Sequence, residues 1–382
     1  MSVTAATGFR AAGIAAGIKP SGPDVALVVN DGPEHGAAGV FTSNRVKAAP
    51  VLWSEQVLSY GALRAVVLNS GGANACTGPA GFQDVHRSAE HVAAGLGCGA
   101  GDIAVCSTGL IGARLPMDVL LAGVDAAIGQ LRDDGGDSAA DAIRTTDTVP
   151  KQSQVRVGEV TVGGMAKGAG MLAPGLATML CVLTTDAVAE PAALDRALRR
   201  ATARSLDRVD SDGCMSTNDT VLLLASGASG VTLSDRDLAE AVEAACFDLA
   251  CQLVADAEGA SKEVRIDVVG AASEADAVSV ARTVARSNLL KCALYGEDPN
   301  WGRVVSAVGT TDAVFAPESL DVAFNDVWVC KGGQIGEDRT AVDLTGRHIT
   351  ITIDLHAGAE DGFVLTNDLT AAYVHENSAY ST

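Results

Sequence analysis

The chain has 382 residues, 48% of them hydrophobic but only 4% aromatic, and a formal net charge of −20 at pH 7. That length holds two or three domains, or one large interwoven α/β body with a core built mainly from Ala, Val and Leu. So negative a field repels phosphate backbones and anionic lipid, so neither nucleic acid nor a membrane surface is an expected partner.

The N-terminal stretch MSVTAATGFRAAGIAAGIKP is rich in Ala and Gly, but Arg10 and Lys19 confine its uncharged part to residues 11–18. With no charged region ahead of it, the stretch reads as part of the fold and not as a signal peptide. No window reaches the ~20 apolar residues of a membrane span. Apolar runs at Asp24–Val29, Ala65–Leu68 and Ile103–Cys106 read as strands, and residues Gln83–Leu96 and Pro116–Leu131 carry a 3.6-residue period that predicts helices. The segment RDDGGDS (132–138) reads as loop, and residues 151–175 read as a loop-rich region.

The run from Ala177 to Leu183 reads as a buried strand. A helix is predicted over Glu190–Leu206, with Leu194, Ala197, Leu198 and Ala201 on one face. Strand Thr220–Ala225, helix Ser234–Asp256 with Ser-Asp at its cap position, strand Val264–Val269 and helix Ala275–Leu290 follow. Interspersed strands and helices predict an α/β, or mixed α+β, architecture. No repeat, low-complexity tract or long linker marks a domain boundary.

Common catalytic signatures fail on inspection. There is no G-x-S-x-G elbow, H-E-x-x-H pair or phosphate-binding G-x-x-x-x-G-K-[ST]. GAGMLA (168–173) precedes a strand where a dinucleotide loop must follow one. DSDG would put Arg208 at the first position of a calcium loop, where a carboxylate is needed. The six histidines contain no i,i+4 pair and read as surface imidazoles, which leaves no metal and no evident His base. Nine cysteines without a C-x-x-C read as reduced thiols, most of them small core residues.

The segment GGMAKGAGMLAPGLATMLCVLTTDA (163–187) raises a sharper possibility. A hydroxyl at the entrance of a buried strand is ordinary if Pro174-Gly175 is simply a turn and Thr178 simply a strand former. It is a nucleophile if the chain is cut between Ala177 and Thr178. The freed α-amine, with a pKa near ~7.7–8.0, then sits beside its own hydroxyl as a built-in base. Acyl chemistry also needs an oxyanion hole, and AVCSTGLIG offers Thr108 and Gly109 at a strand end, although strand-to-turn punctuation explains the same residues.

These segments carry a family resemblance. MAKGAGMLAPGLATML, CSTGLIG, TTDTVPK, STNDT, DAEGASK, DPNWGRV and ENSAYST, with the earlier GFRAAGIAAGIK, FTSNRVKAAPV and NSGGANACTG, span essentially the whole chain. They resemble motifs of the bifunctional glutamate N-acetyltransferase, or ornithine acetyltransferase, family of arginine biosynthesis. The resemblance implies the self-cleaving fold shared with related aminopeptidases, with sheets covered by helices. It implies an α chain of residues 1–177, a β chain of 178–382, and an α2β2 heterotetramer in the cytoplasm.

Thr178 would take acetyl from N-acetylornithine and pass it to glutamate, with acetyl-CoA a further donor in bifunctional members and no cofactor involved. Position by position, the resemblance assigns the oxyanion hole to Thr108 and Gly109. It assigns substrate contacts to Thr145, Lys167, Glu258, Asn377 and Thr382, besides Thr178. Lys167 suits a substrate carboxylate and Glu258 a substrate ammonium, although a solvated loop cation and a helix-end carboxylate are the plain alternatives. Trp301 reads as a packed aromatic.

The chain departs from the family pattern at Gly175, where a bulkier or amide-bearing residue is common, and at Gly72, where Asn is frequent and no role is evident. The competing functions are a hydrolytic aminopeptidase or amidase of the related self-cleaving kind, and an amino-acid binder without catalysis. Thr178 together with Lys167 and Glu258 favours transfer.

Overall fold

The computed structural model describes residues 2–172 and 179–379. The readings placed on Pro174, Gly175, Ala177, Thr178 and Thr382 lie outside the described residues. The described chain divides into two compact units: residues 2–172, 179–207 and 214–253 form the first, and residues 208–213 and 254–379 the second.

The first unit holds two sheets. One has the order β1 (Phe9–Ile14), β2 (Val25–Asn30), β4 (Ala65–Ser70), β5 (Ile103–Thr108), with β4 and β5 parallel and the other pairs antiparallel. Strands β2, β4 and β5 are buried at every position, each an apolar run up to its polar last one or two residues. Helices α1 (Ala49–Leu58), α2 (Gly78–Leu96), α3 (Met117–Gly129) and α4 (Gly136–Ala142) pack against this sheet through residues such as Trp53, Val85, Val124 and Ala139.

Helix α4 begins inside the stretch expected to be loop. Its run GDSAADA lacks large apolar residues and gives little periodic signal, yet it docks closely against β1, where a Cβ on Gly13 would stand 1.8 Å from Ser138 O.

The other sheet has the order β3 (Ala37–Phe41), β9 (Thr220–Ala225), β8 (Leu180–Thr185), β7 (Val160–Lys167), β6 (Lys151–Val157). Most of the expected loop-rich region is thus a β6–β7 hairpin. Glycines that look like turn punctuation sit mid-strand because neighbours crowd them. A Cβ on Gly163 would lie 2.3 Å from Ser2 O, and one on Gly164 2.8 Å from Leu183 Cδ2. Helix α5 (Pro191–Arg204) packs on β3. Helix α6 (Asp235–Ala255) opens on Ser234, whose Oγ accepts the Asp237 N–H at 3.1 Å, as its cap pattern predicts.

The second unit is built on a six-stranded sheet in the order β13 (Gln334–Ile335), β12 (Val327–Lys331), β11 (Asp321–Phe324), β14 (His348–Asp354), β10 (Glu263–Ala271), β15 (Glu360–Asn367), with β10 and β14 parallel. Along β10, Val264, Ile266 and Val268 are buried while Arg265 and Asp267 turn outward. Helices α7 (Glu274–Ala285), α8 (Asn288–Tyr295) and α9 (Trp301–Val308) contribute to its core, and α10 (Ala371–Ala379) follows β15.

The single helix predicted over 275–290 is two. Ser287 restarts the chain as the N-cap of α8, its side chain accepting the Leu290 N–H. Trp301 packs against the core, as expected. Four of the nine cysteines are buried (Cys106, Cys181, Cys246, Cys330) and three are exposed, so most are not core residues. Among the described residues no helix is long and apolar enough to cross a membrane.

Candidate functional site

Strand β5 delivers Ser107, Thr108 and Gly109 to the edge of its sheet, and a buried polar network holds them there. Ser107 Oγ donates to Asn69 Oδ1 at 2.6 Å, and Asn218 Nδ2 donates to both Ser107 O (2.8 Å) and Ala73 O (2.6 Å). The Gly72 N–H donates to Thr108 O at 3.0 Å. Gly72, given no role by the sequence, therefore fixes the backbone of an expected oxyanion residue.

Gly109 has φ +129°, and a Cβ there would lie 2.5 Å from Gly72 N, so only glycine fits. A threonine hydroxyl and a glycine turn, locked from behind, can present donors without reorganising.

Lys167 closes strand β7 with its side chain buried at 2% exposure, and its Nζ donates to Thr108 Oγ1 at 3.1 Å. This is no solvated loop cation. Across the sheet Lys167 pairs with Leu180, the first residue of β8 and two positions beyond Thr178.

Asp147 completes the cluster. Its Oδ1 accepts from Lys151 Nζ and from the Gly168 N–H, both at 2.6 Å, and its Oδ2 accepts the Thr145 N–H at 3.1 Å. Burial pushes the Asp147 carboxyl up, but the charges of Lys167 and Lys151 and the hydrogen bonds from Lys151 and Gly168 outweigh it and hold the pKa at about 2. Two buried lysines thus bear on one buried carboxylate.

At the head of β8, the Met179 N–H donates to Asp219 Oδ1 at 3.0 Å, and Met179 O accepts the Thr220 N–H. Asp219 is fully buried, and that burial pushes its carboxyl well above the usual range despite the Met179 N–H.

The first unit thus brings together Thr108, Gly109, Lys167 and, through Asp147, Thr145. In the second unit Asn377 Nδ2 donates to Glu258 Oε2 at 2.9 Å and to Tyr373 O at 3.0 Å. Glu258 lines a cavity of about 300 Å³ together with Asp212, Arg286, Lys291, Asp368 and Tyr373.

Sequence reasoning gave no individual role to Asp147, Lys151, Asn218 or Asp219, although TTDTVPK and STNDT contain all four. Their place inside those two motifs was the available signal. Asn69 opens NSGGANACTG and likewise received no individual role, whereas Lys291 lies outside every one of these motifs and its partners are far away in sequence.

The family model described as "ArgJ family" matches residues 10–382. The "Arginine biosynthesis bifunctional protein ArgJ" of Streptomyces coelicolor is 68% identical over the full length of both chains, and that of Thermobifida fusca is 63% identical over the same extent. A crystal structure of ornithine acetyltransferase complexed with ornithine from Mycobacterium tuberculosis is 64% identical, covers 45% of this chain and 94% of that one, and has a TM-score of 0.45. A full-length match at such identity leaves one conclusion: the chain belongs to the ArgJ family.

Proposed function

We propose that this protein is an ornithine acetyltransferase of arginine biosynthesis that works through an acetylated Thr178. The chain cleaves itself between Ala177 and Thr178, and the new α-amine serves as base. Thr178 Oγ attacks the acetyl carbonyl of N-acetylornithine while the amine takes its proton. The resulting oxyanion is met by the Thr108 hydroxyl and the Gly109 N–H.

Collapse of that intermediate breaks the C–N bond, the amine returns the proton to the leaving nitrogen, and ornithine departs. Glutamate then attacks the ester and regenerates Thr178 in a ping-pong cycle. Lys167 holds the α-carboxylate common to both substrates, supported by Thr145, while Glu258 with Asn377 meets the side-chain ammonium of N-acetylornithine. The C-terminal Thr382 adds a contact from the tail.

The observation that carries this reading is the buried Lys167–Thr108 contact at the strand position paired with the start of β8. The division into residues 1–177 and 178–382 is compatible with a stable product. Strands β8 and β9 of the second piece are hydrogen-bonded to β7 and β3 of the first, so cleavage would leave one continuous sheet.

The relatives are named bifunctional, and acetyl-CoA is the second donor in bifunctional members of the family that the chain resembles. An α2β2 heterotetramer in the cytoplasm fits that pathway.

The test is a denaturing intact-mass spectrum followed by an assay. Processing predicts fragments of roughly 18 and 21 kDa from the 38.6 kDa chain, and Thr178→Ala stays whole. The processed protein releases ornithine from N-acetylornithine, and glutamate turns that single release into steady turnover. A single uncut species without acetyl transfer overturns the proposal.

A further inference from the structure

The two half-reactions pose a problem of sign. N-acetylornithine brings a side-chain ammonium and glutamate a side-chain carboxylate, and a ping-pong cycle presents both in turn to one site. Glu258 suits the first and repels the second. Its cavity must therefore supply a cation.

Lys291, on α8, lines the same cavity and is only 5% exposed. Its Nζ donates to Thr366 Oγ1 at 2.9 Å and to Asn367 O. An ammonium has three N–H donors, and the third finds no acceptor among the described residues. Burial lowers the pKa of Lys291 to about 8 against the pull of Asp210, Asp368 and Asp212, so the side chain is largely charged at neutral pH.

Of the other charged groups on the wall, Asp212 acts on Lys291 as a negative neighbour, and Asp368 and Arg286 are held by partners of their own. Asp368 accepts the Ser261 and Lys262 N–H groups through Oδ1 and the Ser261 hydroxyl through Oδ2. Arg286 donates through Nε to buried Asp210 at 2.8 Å. A buried ammonium short of one acceptor, on the wall of a cavity of about 300 Å³, is predisposed to a carboxylate.

We infer that Lys291 is a specificity-determining residue that receives the side-chain carboxylate of the acceptor glutamate, in the cavity where Glu258 receives the ornithine ammonium. This rests on the acetyltransferase reading above. Paired charges of both signs let one cavity serve two side chains of opposite charge.

The experiment measures kcat/KM for glutamate and for its neutral isostere glutamine in the processed enzyme and in Lys291→Met. A ratio within one preparation is independent of how much of it is folded. Single-turnover ornithine release from N-acetylornithine is followed in parallel.

The unmodified enzyme prefers glutamate strongly, and Lys291→Met reduces that preference at least about tenfold. Its glutamate-dependent step also loses at least about ten times more than its ornithine-releasing step. Equal losses in both steps, or an unchanged preference, overturn the inference. If Lys291→Met is insoluble, Lys291→Gln is read in the same way, and an unmodified enzyme indifferent to glutamate over glutamine overturns it without any variant. Failure of the acetyltransferase reading is distinct, since the unmodified enzyme would then release no ornithine at all.

Discussion

The two charge clusters are built on opposite plans. In the first unit Lys151, Asp147 and Lys167 are buried; Asp147 accepts from Lys151 and the Gly168 N–H and feels the charge of Lys167, which donates to Thr108. In the second, Glu258 lies partly open on a cavity wall, held by Asn377, and faces a space shared with Lys291. A fixed cluster suits a group that never changes, such as the α-carboxylate common to both substrates. A mixed and roomier one suits a group that changes sign between half-reactions. The difference teaches that, on the proposed reading, the buried and mutually bonded cluster would be the one that meets the constant group.

The largest effect should come from removing the fixed cation. Lys167→Met takes away the charge that touches Thr108 and keeps Asp147 ionised. We expect kcat/KM to fall by about 10²–10³ for both N-acetylornithine and glutamate, measured on the processed variant. A loss confined to one substrate would break the comparison, because it would make this cluster the one that discriminates.

Asp147→Asn tests the same cluster through stability. Losing one partner of a buried pair removes the carboxylate that Lys151 Nζ contacts at 2.6 Å and costs about 3 kcal/mol. The pH dependence has a definite sign. A carboxyl lowered from 3.8 to about 2 on folding contributes stability that is complete above its unfolded pKa and is lost as pH falls through its folded one. The wild-type protein should therefore lose about 2 kcal/mol from this group between pH 4 and pH 2. Thermal unfolding of Asp147→Asn should start lower and lack that component.

Much of this was legible in the sequence, for reasons that particular residues make plain. Strands β2, β4 and β5 are buried on both faces and announce themselves as apolar runs, and Ser234 marks its helix by capping chemistry. The β6–β7 hairpin was hidden because Gly163 and Gly164 serve close packing and not turns. The break at Ser287 was hidden because no Gly or Pro marks it, only a serine whose capping role shows in the structure.

Within the candidate site, Thr108, Gly109 and Lys167 were singled out through motif resemblance, and Lys167 donates to Thr108. Gly72 was given no role, since its hydrogen bond to Thr108 O depends on a strand pairing that no local pattern encodes. Lys291 was missed for the same reason. Its partners Thr366 and Asn367 lie on β15, and its place on the cavity wall is a property of the fold.

The smallest expected effect belongs to the adaptable cluster, and its value lies in its sign. Glu258→Gln keeps the size of the side chain and an oxygen acceptor for Asn377 while removing the charge. The KM for N-acetylornithine should rise about three- to tenfold, the worth of a partly exposed charged contact. The KM for glutamate should fall or stay level, because a like-charge neighbour of its side chain has gone while Lys291 remains. If both constants rise together, Glu258 shapes the cavity without reading charge, and the contrast between a fixed and an adaptable cluster loses its second half. Opposite movements would show charge discrimination in the second unit, separate from the common loss expected of Lys167→Met in the first.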